Sequence, residues 1–177
     1  QIDSLFYGDF FPDTLVYVPV KSSTATQIKY LTLSELLTVL QIGTPPLFDA
    51  SIYQDFSLFL YAPAEEEREV CSEAGIVDMS CYGPRMGLVV EIADRDTVFS
   101  LMREWEETLV SDLTPLMLSA PQQGGQNTFS LGRYSDFTTH FINLPTPSLS
   151  VDWIITEEYL VIATSKNAAR RAVDALQ

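Results

Sequence analysis

The sequence has few residues of the kinds that build metal and nucleophile centres. Among 177 residues there is one histidine, His140, and there are two cysteines, Cys71 and Cys81. A structural zinc site needs four ligands from Cys, His or carboxylate side chains. A Ser-His-Asp centre would have to use His140, and no G-x-S-x-G motif supplies its nucleophile. The glycine-rich patterns that cradle phosphates are missing as well. These absences argue against zinc, nucleotide and serine- or cysteine-nucleophile chemistry, and they favour a structural or surface role for His140.

Basic side chains are also scarce, with 10 Lys and Arg residues against 24 Asp and Glu residues and a net charge of −14. Such a charge repels nucleic acid phosphates and anionic lipid head groups. We therefore expect no nucleic acid partner and no direct binding to a membrane surface.

Long apolar runs are missing too, since nothing approaches the roughly 20 consecutive apolar residues that span a bilayer. The start at Gln1 lacks the basic region of a signal peptide. We expect any anchor or targeting segment to lie outside residues 1–177. Either the two ends are cut points in a longer protein, or Gln1 is the N-terminus of a processed chain.

The remaining composition is that of a folded domain. Hydrophobic residues make up 46% of the chain and aromatic residues 11%, enough to fill the core of one domain over residues 1–177. Residues 15–20, 56–61, 86–92, 138–142, 151–156 and 159–163 have the composition of strands, and Pro19 favours an edge position for the first of them. Helical patterns separate these strands. The order predicts an α+β domain, a mostly antiparallel sheet with helices packed on one face, with a ferredoxin-like core as one option.

Three helices have clear start signals. Thr32 and Glu35 form a capping box that predicts a helix from about Leu33 to Leu40. Asp94 or Asp96 caps a second helix, and Ser165 caps the last. The apolar residues of the second helix recur at helical spacing and predict its buried face: Val98, Leu101, Met102, Trp105 and Leu109. Its charged residues are expected on the opposite, solvent side: Arg103, Glu104, Glu106 and Glu107.

The two cysteines lie in an acidic insertion, residues 62–85, at a spacing that matches no C-x-x-C redox motif and no zinc knuckle. The simplest interpretation is a Cys71–Cys81 disulfide, which persists in oxidising compartments outside the cytoplasm. Two free thiols in a reducing cytosol are the open alternative.

The acidic side chains concentrate in the middle of the chain, and their ordinary role is a solvated face. Calcium is the cofactor that such oxygen ligands fit best. The candidate ligands are Glu65, Glu66, Glu67, Asp94 and Asp96. No EF-hand pattern accompanies them, so our expectation is that the domain has no cofactor, with calcium as the alternative.

The N-terminal arm, residues 1–12, is rich in aromatic residues. Its apolar side chains would form an exposed patch unless something covers them: Leu5, Phe6, Tyr7, Phe10 and Phe11. They either pack on the core of this domain or dock onto a protein partner.

The closing segment from Val151 to Val173 runs strand, turn, strand, then Thr164-Ser-Lys166 and a helix. This ending resembles that of uncharacterised membrane-anchored extracytoplasmic proteins of bacteria, and the similarity extends to Asp55–Tyr61 and Met86–Leu113. The resemblance implies a soluble domain that an N-terminal anchor holds outside a membrane, and it carries over no catalytic residue. The cysteine-containing insertion is not part of the shared pattern.

From these observations we expect a non-enzymatic extracytoplasmic domain of a cell-envelope or surface protein that acts through protein–protein contacts. One alternative is a carboxylate-dependent hydrolase that uses acids near His140, since glycosidases use a pair of carboxylates and acidic residues are abundant here. A second alternative is a subunit of a larger assembly that docks through its N-terminal arm.

Overall fold

The computed structural model describes residues 11–23, 28–76, 79–117 and 128–177. The strands are β1 Leu15–Val18, β2 Lys21–Ser23, β3 Ile28–Tyr30, β4 Ile52–Tyr61, β5 Arg85–Ile92, β6 Ser130–Tyr134, β7 Phe137–Asn143, β8 Ser150–Ile155 and β9 Tyr159–Ala163. The α-helices are α1 Leu33–Leu40, α2 Glu65–Glu73, α3 Met79–Tyr82, α4 Arg95–Trp105, α5 Leu109–Asp112 and α6 Lys166–Asp174. Short 3₁₀ turns occupy Phe48–Ala50 and Thr114–Leu116.

Seven strands form one sheet in the order β1-β4-β5-β9-β8-β7-β6, and every neighbouring pair is antiparallel. Strands β2 and β3 pair with each other separately. The predicted α+β class with a mostly antiparallel sheet is therefore confirmed. β1 lies at an edge of the sheet, as Pro19 predicted, and ends just before that proline. A ferredoxin-like core is not confirmed, because its β-α-β-β-α-β order would place a strand after the last helix, and the described residues have none after α6.

The three start signals in the sequence act as predicted. Thr32 and Glu35 close both hydrogen bonds of the capping box at the start of α1, which ends at Leu40 as expected. Asp94, rather than Asp96, caps α4 by accepting a 2.8 Å hydrogen bond from the Thr97 amide. The Ser165 hydroxyl caps α6 by accepting from the Ala168 amide.

The second predicted helix is shorter than its apolar spacing indicated. α4 ends at Trp105, a turn follows, and Leu109 begins the separate helix α5. The Asp112 carboxylate accepts hydrogen bonds from Trp105 Nε1 at 2.9 Å and from the Thr108 hydroxyl at 2.7 Å. These bonds hold α5 against the end of α4 while Leu109 stays buried.

The sheet is covered on both faces. Alternate residues of β4, β5, β8 and β9 face a large core that also contains the apolar residues of α1, α4 and α5. The other residues of these strands pack against α6 in a second core. Small side chains of α6 allow the close approach: Ala168, Ala169 and Ala172. Gly87 of β5 serves this second core as well, because a Cβ at this position would overlap the ring of Phe59.

The acidic insertion contains helices α2 and α3, which the sequence pattern did not predict. The predicted disulfide between Cys71 and Cys81 is present, with both residues fully buried and a Cα–Cα distance of 5.8 Å. The buried Arg85 guanidinium donates to the Cys81 carbonyl at 2.9 Å and to the Ser148 hydroxyl at 2.8 Å. The disulfide helices are thereby joined to the turn between β7 and β8.

A disulfide indicates an oxidising, extracytoplasmic environment. Within the described ranges, no helix is long and apolar enough to cross a bilayer.

Reducing the disulfide should lower the free energy of unfolding by about 3 kcal/mol, because an open short loop gives the unfolded chain more conformational entropy. Urea denaturation of oxidised and reduced protein measures this difference. A Cys71→Ser, Cys81→Ser variant separates loss of the cross-link from loss of the sulfur atoms, and we expect it to match the reduced protein. Equal midpoints for oxidised and reduced protein would contradict the structural role.

Candidate functional site

A stacked pair of rings forms the floor of a cleft beside α4. In the antiparallel register, His140 of β7 lies opposite Trp153 of β8 on one side and Leu131 of β6 on the other. The His140 and Trp153 rings stack with centroids 3.8 Å apart and an angle of 19° between their planes. Both residues are buried. Strand pairing thus fixes a flat aromatic surface on the sheet.

The wall of the cleft comes from α4. Its buried stripe packs on the sheet, and a second stripe with four-residue spacing lies beside it: Arg95, Phe99 and Arg103. The Phe99 ring meets both floor rings edge-on, 5.7 Å from His140 and 5.8 Å from Trp153. Even so, 43% of Phe99 is exposed, and Leu131 on the opposite side of the cleft is 67% exposed.

The Glu106 carboxylate holds the floor and the wall together. One of its oxygens lies 2.8 Å from His140 Nδ1 and accepts from Trp153 Nε1 at 3.2 Å. The other accepts from Arg103 Nη1 at 2.6 Å. The sequence pattern placed Glu106 on the solvent side of the helix, and this was wrong. Helical projection fails here because α4 ends one residue earlier, and the turn points the carboxylate inward.

The protonation state of His140 follows from these contacts. Burial lowers the pKa of the imidazole, and Glu106 opposes this shift only in part. The ring is therefore neutral at pH 7. Glu106 Oε1 at 2.8 Å and Arg103 Nη1 at 3.3 Å both lie near Nδ1. Because a carboxylate only accepts hydrogen bonds, the shorter contact assigns the proton to Nδ1 and leaves Nε2 as an acceptor.

The cleft has a volume of about 330 Å³. Its lining consists of Arg95, Phe99, Arg103, Leu131, Thr138, His140, Trp153 and Ile155. The two permanently charged residues in this lining, Arg95 and Arg103, are both cations. Three other depressions of about 350, 290 and 360 Å³ each contain at least one acidic lining residue. A cationic, aromatic cleft in a chain of net charge −14 is suited to an apolar ligand that carries negative charge.

The calcium candidates do not assemble into a site in the described part of the chain. Glu65, Glu66 and Glu67 form the first turn of α2, whereas Asp94 and Asp96 lie at the start of α4. Glu67 bonds the Tyr61 hydroxyl at 2.8 Å and the Ala64 amide. No group of three His, Cys, Asp or Glu residues there is placed to hold a metal ion.

The proposed partner-binding arm falls mainly outside the described residues, which is the case for Leu5, Phe6, Tyr7 and Phe10. Phe11 is described and is 81% exposed.

For the hydrolase alternative, the structure brings Glu106 to His140. No hydroxyl or thiol from the four described ranges is hydrogen-bonded to that imidazole, as an activated nucleophile would be.

Sequence reasoning missed most of the cleft. The four-residue spacing of Arg95, Phe99 and Arg103 is visible in the sequence, but it marks a site only when the facing strands are known. Leu131 had no signal, because β6 was not predicted. Its Gly132 lies where a Cβ would come within 2.8 Å of the Thr139 hydroxyl.

A second titrating group lies apart from the cleft. Asp152 of β8 is buried, and burial raises its pKa to about 6 in spite of the Ser150 hydrogen bond and the charges of Lys166 and Arg170. A carboxyl group with a raised folded-state pKa stabilises the fold when it is protonated. That stability is lost as the pH rises through about 6.

Asp152→Asn should therefore raise the free energy of unfolding at pH 8, by at most about 3 kcal/mol, because the amide needs no ionisation and can still accept the Ser150 hydrogen bond. The gain should disappear near pH 4, and urea denaturation at both pH values measures it. Asp136→Asn is the control, since it removes one acid from a side chain that is 95% exposed. A gain for Asp152→Asn that is the same at both pH values would contradict the assignment.

Comparison of the chain with models of protein families, with curated proteins and with solved structures finds no match.

Proposed function

We propose that the chain is a non-enzymatic domain that acts outside the cytoplasm through protein–protein contacts, with the α4 cleft as its contact site. The observation that carries this proposal is the pair of exposed apolar walls, Phe99 and Leu131, above a rigid aromatic floor. Aromatic residues and arginine are enriched at the centres of protein interfaces. Such a cleft accepts one anchoring side chain from a partner.

The environment of the domain follows from the buried disulfide. We further propose that the domain belongs to a cell-envelope or surface protein, and that an anchor outside residues 1–177 holds it at a membrane. The resemblance of the closing strand-turn-strand-helix unit to membrane-anchored extracytoplasmic proteins supports this location.

Alkylation of thiols during lysis of the native cells in denaturant, which exposes both buried cysteines, tests the location. The expected result is that the protein takes up no alkyl groups before reduction and two after it, because both cysteines are in the disulfide. Uptake of two groups without reductant would mean that the protein occupies a reducing compartment, and it would contradict the proposal.

Selection of peptide binders from a random library tests the contact site. We expect the selected peptides to lose at least ~10-fold in affinity when Leu131→Asp places a charge at the cleft. Leu47→Asp is a matched control, because Leu47 is 74% exposed and does not line the cleft. Selection of no binder, or of binders that tolerate Leu131→Asp, would contradict the proposed site.

A further inference from the structure

The charged groups of the cleft are not equivalent. Arg103 Nη1 already donates to Glu106, which also bonds the floor rings. Arg95 has no acidic group within ion-pair distance among the residues that the structure describes. The carboxylate of the preceding residue, Asp94, is engaged by the Thr97 amide. Asp96 follows Arg95 and is exposed. Of the two cations that line the cleft, Arg95 is therefore the one that makes no hydrogen bond or ion pair with the described residues.

The position of Arg95 is also unfavourable for the helix alone. It is the first residue of α4, where the helix dipole favours negative charge and opposes a cation. An anion bound beside Arg95 would be stabilised by the guanidinium, whereas the end of the helix is already capped by Asp94. The positive charge of Arg95 therefore does not stabilise α4. It is instead available as a strong partner for the carboxylate of a ligand.

The spacing along α4 sets the size of this ligand. Arg95 and Phe99 are four residues apart, a rise of about 6 Å along the helix axis. A single aromatic residue at the end of a chain carries its ring and its free carboxylate within such a distance. The cleft volume of about 330 Å³ lies at the lower end of ligand pockets, roughly 300–1,000 Å³. It suits one residue better than a long polymer.

The rings already present indicate the side chain of that residue. Phe99 packs edge-on against both His140 and Trp153, which are buried, so the aromatic surface that the cleft offers to a ligand is that of Phe99. A further aromatic ring can stack or pack edge-to-face in this setting. Leu131 would cover its outer side.

We propose that the α4 cleft binds the C-terminal residue of a protein partner, an aromatic residue whose ring packs between the exposed side chains of Phe99 and Leu131 and whose free carboxylate pairs with Arg95. This inference rests on the proposed protein-contact function, and it names the chemistry that the contact recognises. Recognition of a free chain end explains how a cationic cleft selects a partner without a larger basic surface.

Titration with short peptides tests the inference directly, with the indole N–H resonances of Trp153 and Trp105 as the readout in NMR spectra. The probes are acetyl-Gly-Gly-Phe with a free carboxylate, the same peptide as its C-terminal amide, and acetyl-Gly-Gly-Ala with a free carboxylate. We expect the first to shift the Trp153 signal and to leave that of Trp105, which bonds Asp112 away from the cleft, unchanged. The amide and the alanine peptide should each bind at least ~10-fold more weakly.

Two arginine variants complete the test. Arg95→Gln should reduce the affinity for the free-carboxylate peptide to that of the amide. Arg133→Gln removes the same charge from β6 outside the cleft lining and should have no effect. Equal binding of acid and amide, binding that ignores Arg95→Gln, or no shift at millimolar peptide would overturn the inference. Library peptides that need Leu131 but bind equally well as C-terminal amides would overturn it while leaving the protein-contact function in place.

Discussion

Burial of the central strands on both faces is the constraint on which the rest of the structure depends. Every residue of β8 is buried, as are four of the five residues of β9. An antiparallel sheet often leaves one face to water, but here each face needs a cover. On one face, small side chains of α6 lie close to the strands. On the other, α1, α4 and α5 fill the larger core. The edge strands β1 and β6 keep exposed residues, whereas α4 reaches β7 through Phe99, which packs on His140. The cleft lies between α4 and the exposed Leu131 of β6.

Glu106 links this packing to the properties of the cleft. A buried carboxylate is tolerated only where donors satisfy it, and His140, Trp153 and Arg103 supply them from two strands and a helix. The same three bonds fix the ring planes, and Arg103 neutralises the carboxylate, so the cleft presents Phe99 and cationic groups to a ligand. The floor is rigid before anything binds, which lowers the ordering cost of association.

The sequence predicted those features that depend on local chemistry. The Thr32 capping box, the Ser165 cap and the Cys71–Cys81 pair each involve residues close together in the chain, and all are confirmed. The predicted edge position of β1 followed from a single proline.

Features that depend on long-range contacts were missed. Glu106 was placed on the wrong side because helical periodicity was continued beyond Trp105, where a hydrogen bond to Asp112 helps to end it. β6 was not predicted from the sequence, because its middle residue is a glycine and its leucine faces the cleft rather than a core. The cleft itself joins residues 95 to 155, and no pattern within one element could reveal it.

In our proposal, the cleft between α4 and strands β6–β8 is where this domain contacts its partner. A crystal structure of the domain with a peptide obtained by selection tests it most directly. We expect one peptide side chain between Phe99 and Leu131, with a peptide carboxylate at Arg95. A peptide that lies on another surface and leaves these residues as they are in the free domain would contradict it.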